Sequence, residues 1–417
     1  MAWCLMLIAF AAVTFAQAQT SQRLVLSEAV VLALKQHPLL VAAKQRIEAA
    51  RGGQVSAKAL PNPSLAVVPL GTVSDNPLLL EQTVELPFKR SLRIKAAETE
   101  LAATFADYRA AELDVIFSVK VAYRDLQAAI AIQRLTEEAV ELARTLHDLA
   151  QKQHAIGVVP LVHVARTDIE RQRMEQELVQ AKAEVATKQV ALNLALGQEP
   201  SKPVLPADEL SYQPVTVSLE ELKALALRQR PELLASQLRL AAHRFSVKST
   251  QAQRLPDLFV LTRFGESERV LRFTAPRLGI GITLPLFDFG RIKGEVQAAK
   301  AKTAEQEALL EQTKRSVLAE VETAAQKLLA AQKVVEAYQQ RIVPSAEDLL
   351  QRLKASYSEG GSTLLEVLDA QQTWRMTRRE LIQAIADYLK ALAELERAIG
   401  GELSANDRQV AERRALR

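Results

Sequence analysis

The chain has 417 residues, 48% of them hydrophobic and only 5% aromatic, with 14 Gly and 16 Pro. Ala, Leu, Glu, Gln, Lys and Arg dominate, a composition of long helices rather than of a β-sandwich or an α/β enzyme. The net charge of +4 argues against nucleic acid as a partner, and a single cysteine, Cys4, excludes a disulfide framework and any multi-thiolate metal site.

Residues 2–16 form one uncharged apolar run, followed by the small-x-small site Ala16-Gln17-Ala18. This pattern predicts a signal peptide over 1–18, cleaved after Ala18, and hence an exported protein. No Lys or Arg precedes the run, which questions the start codon. Cys4 lies near the start of the apolar run and not after it, so it is not placed as a lipid-attachment cysteine. No later apolar stretch is long enough for a transmembrane helix, so membrane insertion would have to use β-strands.

The mature sequence is written twice. Leu26 to Pro38 matches Leu219 to Pro231, Leu60-Pro61 matches Leu255-Pro256, Leu86-Pro87 matches Leu284-Pro285, and Gly157 to Val164 matches Gly360 to Val367. The offset grows in small steps, as duplication with short insertions produces. The first repeat spans 19–198 and the second 219–401. The segment 199–218, with Pro200, Pro203, Pro206 and Pro214, reads as a linker, and 402–417 as a polar tail.

Each repeat begins with a helix interrupted at Pro38 or Pro231, because the residue before proline disfavours helical geometry. A β-hairpin follows, over about 60–88 in the first repeat and 256–287 in the second. In the latter, Leu278, Ile280, Ile282, Leu284 and Leu286 alternate with Gly279, Gly281, Thr283 and Pro285. In the former, Leu80, Val84, Leu86 and Phe88 alternate with Glu81, Thr83 and Glu85. Strands of about ten residues fit an outer-membrane hydrocarbon core, and the same pattern fits a small soluble sheet. Long helices come next, over about 90–153 and 290–357, each reaching about 95–100 Å if unbroken. Val317, Val321, Ala324, Leu328, Ala331, Val335, Tyr338 and Ile342 form a heptad-like seam that resumes past Pro344 at Ala346, Leu349 and Leu353. Pro344 is expected to kink this helix. A Gly-containing turn then leads into a shorter helix, about 161–196 or 363–399.

Four membrane-length strands cannot close a barrel, and an open edge in lipid is forbidden. Three chains would supply twelve strands. At this point the sequence resembles the outer membrane efflux protein family, the TolC-like outer membrane factors. The resemblance rests on GIGITLPLFDFGRIKGEV (Gly279–Val296), YSEGGSTLLEVLDAQQTW (Tyr357–Trp374), HAIGVVPLVHVARTDIE (His154–Glu170) and the segment before Pro38. It implies a mainly α protein with a membrane β-barrel portion, completed by trimerisation. The homotrimer would sit in outer membrane lipid of a Gram-negative bacterium, extend into the periplasm, and work with a periplasmic adaptor and an inner-membrane pump, here of the resistance-nodulation-division type.

No phosphate loop, HExxH motif or serine triad is present, so neither an enzyme nor a cofactor is expected. The resemblance carries adaptor docking onto Ile156, Gly157, Val158 and Val159, and onto Gly360, Gly361, Ser362 and Thr363; glycines there also serve simply to end helices. Glu366 and Asp369, spaced i,i+3, lie on one helix face. The resemblance makes them entrance carboxylates, while a solvated helix surface carries such pairs too. Where the family often joins an acidic residue of the first turn to a basic residue of the second, this chain has His163 and Ser362. His163 facing Glu366 or Asp369 would make a proton-sensitive contact. His154 and His163 do not amount to a metal site. The shortness of the chain and the lack of a lipidated N-terminus resemble the outer membrane components of cobalt–zinc–cadmium pumps, which implies heavy-metal cation efflux. Drug efflux and type I protein secretion are the alternatives within the family. A soluble periplasmic coiled-coil adaptor or scaffold is the alternative outside it.

Overall fold

The computed structural model describes residues 22–67, 78–216, 218–264, 277–284 and 288–403. The signal segment and residues 404–417 of the tail lie outside them. In chain order the elements are β1 (Gln22–Leu24), α1 (Leu26–Gln36), α2 (Pro38–Lys58), β2 (Ser64–Val67), β3 (Leu78–Val84), α3 (Pro87–Ala155), α4 (Leu161–Ala195) and β4 (Val204–Pro206). The second half continues with α5 (Leu219–Gln229), α6 (Pro231–Ala252), β5 (Asp257–Phe264), β6 (Arg277–Thr283), α7 (Arg291–Ala337), α8 (Val343–Ser358) and α9 (Leu364–Ile399). His37 and Arg230, each ahead of a proline, are extended at ψ 126° and 115°, which separates α1 from α2 and α5 from α6.

The chain forms two compact units, and neither coincides with a sequence repeat. One comprises the described residues within Met1–His37, Val115–Pro214 and Leu328–Ala393; the other, those within Pro38–Asp114, Val215–Lys327 and Glu394–Arg417. Each unit draws on both repeats.

The first unit is helical apart from a two-stranded parallel sheet. There β1 pairs with β4, in register Gln22 to Val204 through Leu24 to Pro206. The segment read as a linker is therefore ordered and packed. Fully buried Tyr123 donates its hydroxyl proton toward Leu24 O at 2.9 Å, with Asp208 Oδ2 at 3.2 Å, and burial pushes its phenol up to about 12. Asp208 Oδ2 also accepts from Leu26 N, the first amide of α1, and Gln127 Nε2 donates to Asp208 O at 2.7 Å. These bonds satisfy polar groups that a free linker would leave to water.

The helix expected over 290–357 is interrupted. Between α7 and α8 lies a π-helical turn, Tyr338–Ile342, where Val343 N donates to Tyr338 O five residues back. Pro344 is the cause, because it has no N–H and its ring crowds the carbonyl four residues earlier. The inserted residue rotates the packing face. Val317, Val321, Ala324, Leu328 and Val335 are buried as the heptads predict, but past the turn the buried positions are Val343, Ala346, Leu350 and Tyr357. Leu349, expected in the seam, is exposed; Leu353 is only partly buried.

The second unit holds a four-stranded antiparallel sheet of order β2-β3-β5-β6, so the hairpins of the two repeats join through β3 and β5. The described parts of the strands are four to eight residues long, and each strand runs up to a connecting segment that lies outside the described residues.

The duplication survives as paired helix ends. Gly197 and Gly400 follow α4 and α9 at φ 67° and 87°, and the next residues reach back, Gln198 N to Asn193 O and Gly401 N to Glu396 O. The α1–α2 junction caps α4 through Gln36 Nε2, which donates to Leu196 O at 3.1 Å. In the second unit the α5–α6 junction caps α9 through buried Arg230, whose Nη1 donates to Arg397 O and Ala398 O. A Cβ at Gly400 would lie 3.0 Å from Gln229 C and O, against rigid backbone. Gly400→Ala should therefore lower unfolding free energy by about 1–3 kcal/mol. Gly53→Ala, in open space on α2, should raise it by about 0.5–1 kcal/mol; thermal melts of both variants check the pair.

Candidate functional site: two helical turns and a membrane sheet

The first turn joins α3 to α4. Gly157, at φ 75°, ends α3 with Val158 N donating to Gln153 O at 2.8 Å and Gly157 N to His154 O at 2.9 Å. The second turn repeats this geometry. Gly360 is at φ 79°, Gly361 N donates to Ser356 O at 2.8 Å and Gly360 N to Tyr357 O at 3.2 Å. Glycine is needed at both positions because L side chains rarely adopt these angles. The turns differ chemically. Ile156 is 75% exposed and Val158 64%, with Leu161 and Val162 also exposed, so the first presents an apolar surface. The second is polar, with Ser362 Oγ donating to Leu353 O.

Glu366 caps α9. Its Oε2 accepts from Thr363 N at 2.7 Å and from Thr363 Oγ1 at 3.0 Å, while Glu366 N donates back to Thr363 Oγ1. The Thr363 amide and then its hydroxyl hold the Glu366 carboxyl below its ordinary value. Asp369 lies on the same exposed face, opposite buried Leu364, Val367 and Ala370. No hydrogen bond or ion pair among the described residues joins His163 to either carboxylate; His163 Nδ1 is buried without a hydrogen-bond partner. His154 Nδ1 faces Val159 O at 2.9 Å, a bond inside its own turn. Among the described residues no group of three His, Cys, Asp or Glu could hold a metal ion.

Two contacts here escaped the sequence reading. Tyr357 donates its hydroxyl proton to Gln153 Oε1 at 3.2 Å, joining the bases of the two turns. His147 lies 3.1 Å from Thr167 Oγ1 and 2.8 Å from Gln151 Nε2. Gln153 and Tyr357 stand four and three residues before their glycines, the one signal that could have paired them.

In the sheet, register assigns the faces. One carries the rows Val84–Leu258–Ile282, Gln82–Val260–Ile280 and Leu80–Thr262–Leu278. Ile280 is 76% exposed and Leu278 71%, in a row no described residue covers. The other face carries Thr83–Phe259–Gly281 and Glu81–Leu261–Gly279. A Cβ at Gly281 would fall inside the Phe259 ring, so the glycine makes room for that ring. At the start of α7, Asp288 accepts from Gly290 N and Ile292 N; these amides, with Arg254 adding, hold its carboxyl below the usual range. No single described helix is long and apolar enough to cross a membrane.

Residues 29–198 and 222–401 match the model of the outer membrane efflux protein family. The chain belongs to this family. It is similar to the cobalt-zinc-cadmium resistance protein CzcC of Cupriavidus metallidurans, with 25% identity over 90% of both chains. It is also similar to the toluene efflux pump outer membrane protein TtgC of Pseudomonas putida, 26% identical over 75% of this chain and 65% of that one. The outer membrane protein VceC of Vibrio cholerae shares the fold at a TM-score of 0.75 and 24% identity, over 91% of this chain and 97% of that one.

The protein is thus an outer membrane efflux channel of the tripartite kind, located in the outer membrane of a Gram-negative bacterium and extending into the periplasm. Its fold is TolC-like, with a barrel completed by trimerisation. Family and fold are those of channels, not enzymes. The sheet accounts for the assembly: β2 and β6 are open edges, and three antiparallel sheets joined edge to edge close a ring with every backbone group paired.

The depressed carboxyl pKa of Glu366 gives a pH prediction. Its contribution is complete above the unfolded-state value and disappears as pH falls through the lower folded one, so the α9 cap should loosen only under acid conditions. Thr363→Ala removes the hydroxyl partner and should move the Glu366 titration upward toward the ordinary carboxylate range, read by carboxyl-carbon NMR of the labelled trimer.

Proposed function

We propose that the channel exports heavy-metal cations, delivered through a periplasmic adaptor by an inner-membrane pump of the resistance-nodulation-division type. The supporting observation is the likeness to CzcC, which runs over 90% of both chains, against 75% and 65% for TtgC. The adaptor docks on the turns at Ile156, Gly157, Val158 and Val159 and at Gly360, Gly361, Ser362 and Thr363. Burying the exposed Ile156 and Val158 side chains against the adaptor supplies affinity, since apolar area removed from water stabilises by about 25 cal/mol per Å².

Glu366 and Asp369 guard the periplasmic entrance. In a threefold assembly their shared exposed face sets carboxylates around the axis, attracting cations and repelling one another on narrowing. His163, on the first turn of α4, belongs to the same region of the entrance.

Deleting the gene should lower tolerance to zinc, cobalt and cadmium severalfold, with the intact gene restoring it. Unchanged metal tolerance with new sensitivity to dyes or detergents would assign the channel to drug efflux. The double variant Ile156→Asp, Val158→Asp should form heat-modifiable trimers in the outer membrane yet fail to restore tolerance, because charge at the turn opposes docking.

A further inference from the structure

At the end of the sheet where α3 and α7 begin, each repeat leaves large apolar side chains in the open. Leu60 and Leu255 precede the prolines that lead into the hairpins; Phe88 and Phe289 follow the hairpins' last strands. All four are exposed, Phe289 to 96%. Phe289 also has φ 47°, a left-handed conformation that a bulky L-residue adopts only at a cost. Glycine at this position would remove both the strain and the exposed ring. An aromatic held outward at that cost suits insertion into an apolar medium.

Short contacts gather these residues. Lys89 Nζ donates to Leu255 O at 2.7 Å and to Asp257 Oδ1 at 2.8 Å, linking the Phe88 segment to the Leu255 segment. Arg90 Nη2 donates to Lys58 O at 2.6 Å, next to Leu60. Arg254 is exposed beside Leu255, just past the end of α6. The acidic groups here are engaged: Asp257 by Lys89, Glu85 by Arg93, and Asp288 by the amides of α7. In β6 and just after it, Leu278, Ile280, Ile282 and Leu284 are likewise exposed.

We propose that this collar binds the headgroups of anionic phospholipids in the inner leaflet of the outer membrane. Leu60, Phe88, Leu255 and Phe289 enter the boundary between headgroups and acyl chains, and Arg254 and Arg90 meet the phosphate. The proposal rests on the membrane placement of the sheet and is independent of what the channel carries.

The test uses Phe289→Trp trimers in vesicles of phosphatidylethanolamine and phosphatidylglycerol, with bromine placed near the headgroup end of one lipid's acyl chains. Emission is read as the difference from the parent chain, whose Trp374 is buried. Brominated phosphatidylglycerol should quench the introduced tryptophan about twofold, and the zwitterionic lipid at equal mole fraction less. Adding Arg254→Gln should reduce the preference for phosphatidylglycerol by about fivefold. No quenching by either lipid, or equal quenching by both, overturns the proposal. Phe289→Gly suits the left-handed backbone, so its trimers should survive heating in detergent as well as the parent's while retaining less phosphatidylglycerol in native mass spectrometry. Loss of the trimer would instead mean that a second copy covers the ring, and would overturn the proposal too.

Discussion

In hydrocarbon, an unpaired strand edge leaves a row of N–H and C=O groups with no water to satisfy them, at several kcal/mol per group. A sheet of order β2-β3-β5-β6 has two such edges and too few strands to curl onto itself. The remedy is other copies of the same sheet. With β2 and β6 antiparallel in the order of the sheet, the edge of one copy can continue into the next without reversing the pattern. Backbone hydrogen bonding thus makes closure with other copies a condition of membrane residence, and the TolC-like fold closes it with three. Register gives two faces, one carrying Leu80, Val84, Leu258, Val260, Leu278, Ile280 and Ile282 with Gln82 and Thr262, the other Glu81, Thr83, Phe259, Leu261, Gly279 and Gly281.

The helical part answers a different need. A conduit requires walls but no reacting group. Its specialised chemistry is concentrated at helix ends. Gly157 and Gly360 turn the chain at matching angles, Gly197 and Gly400 close α4 and α9 in the same manner, and Gln36 and Arg230 reach back to cap those two helices. Duplication preserved these ends because each solves the problem of the last unsatisfied carbonyls. It did not preserve the residues of the turns themselves: the first exposes Ile156 and Val158 where the second has Glu359 and Gly361.

Much of the fold was legible. Period-two alternation placed the strands, proline and glycine marked the junctions, and the repeated motifs carried the resemblance that the family match upholds. The candidate turns were equally visible, since a left-handed glycine between two helical patterns is a local signal. Less visible were contacts that depend on distant partners. Tyr123 to Leu24, Asp208 to the start of α1, and Tyr357 to Gln153 join residues 99 to 204 positions apart. The heptad seam failed at one place for a physical reason: a π-helical turn ahead of Pro344 adds a residue, and past Ala346 burial passes from Leu349 to Leu350.

The sequence by itself determined the class of protein, because the duplicated motifs that carry the family resemblance are local in the chain. It determined that the membrane sheet would need other copies, since four strands leave two edges. Only the tertiary structure decided that the two repeats share out their elements between two compact units, each drawing one part from either half. Strand pairing and helix burial act between residues far apart in the sequence, and the pairing of β3 with β5 joins the repeats where no local pattern records it.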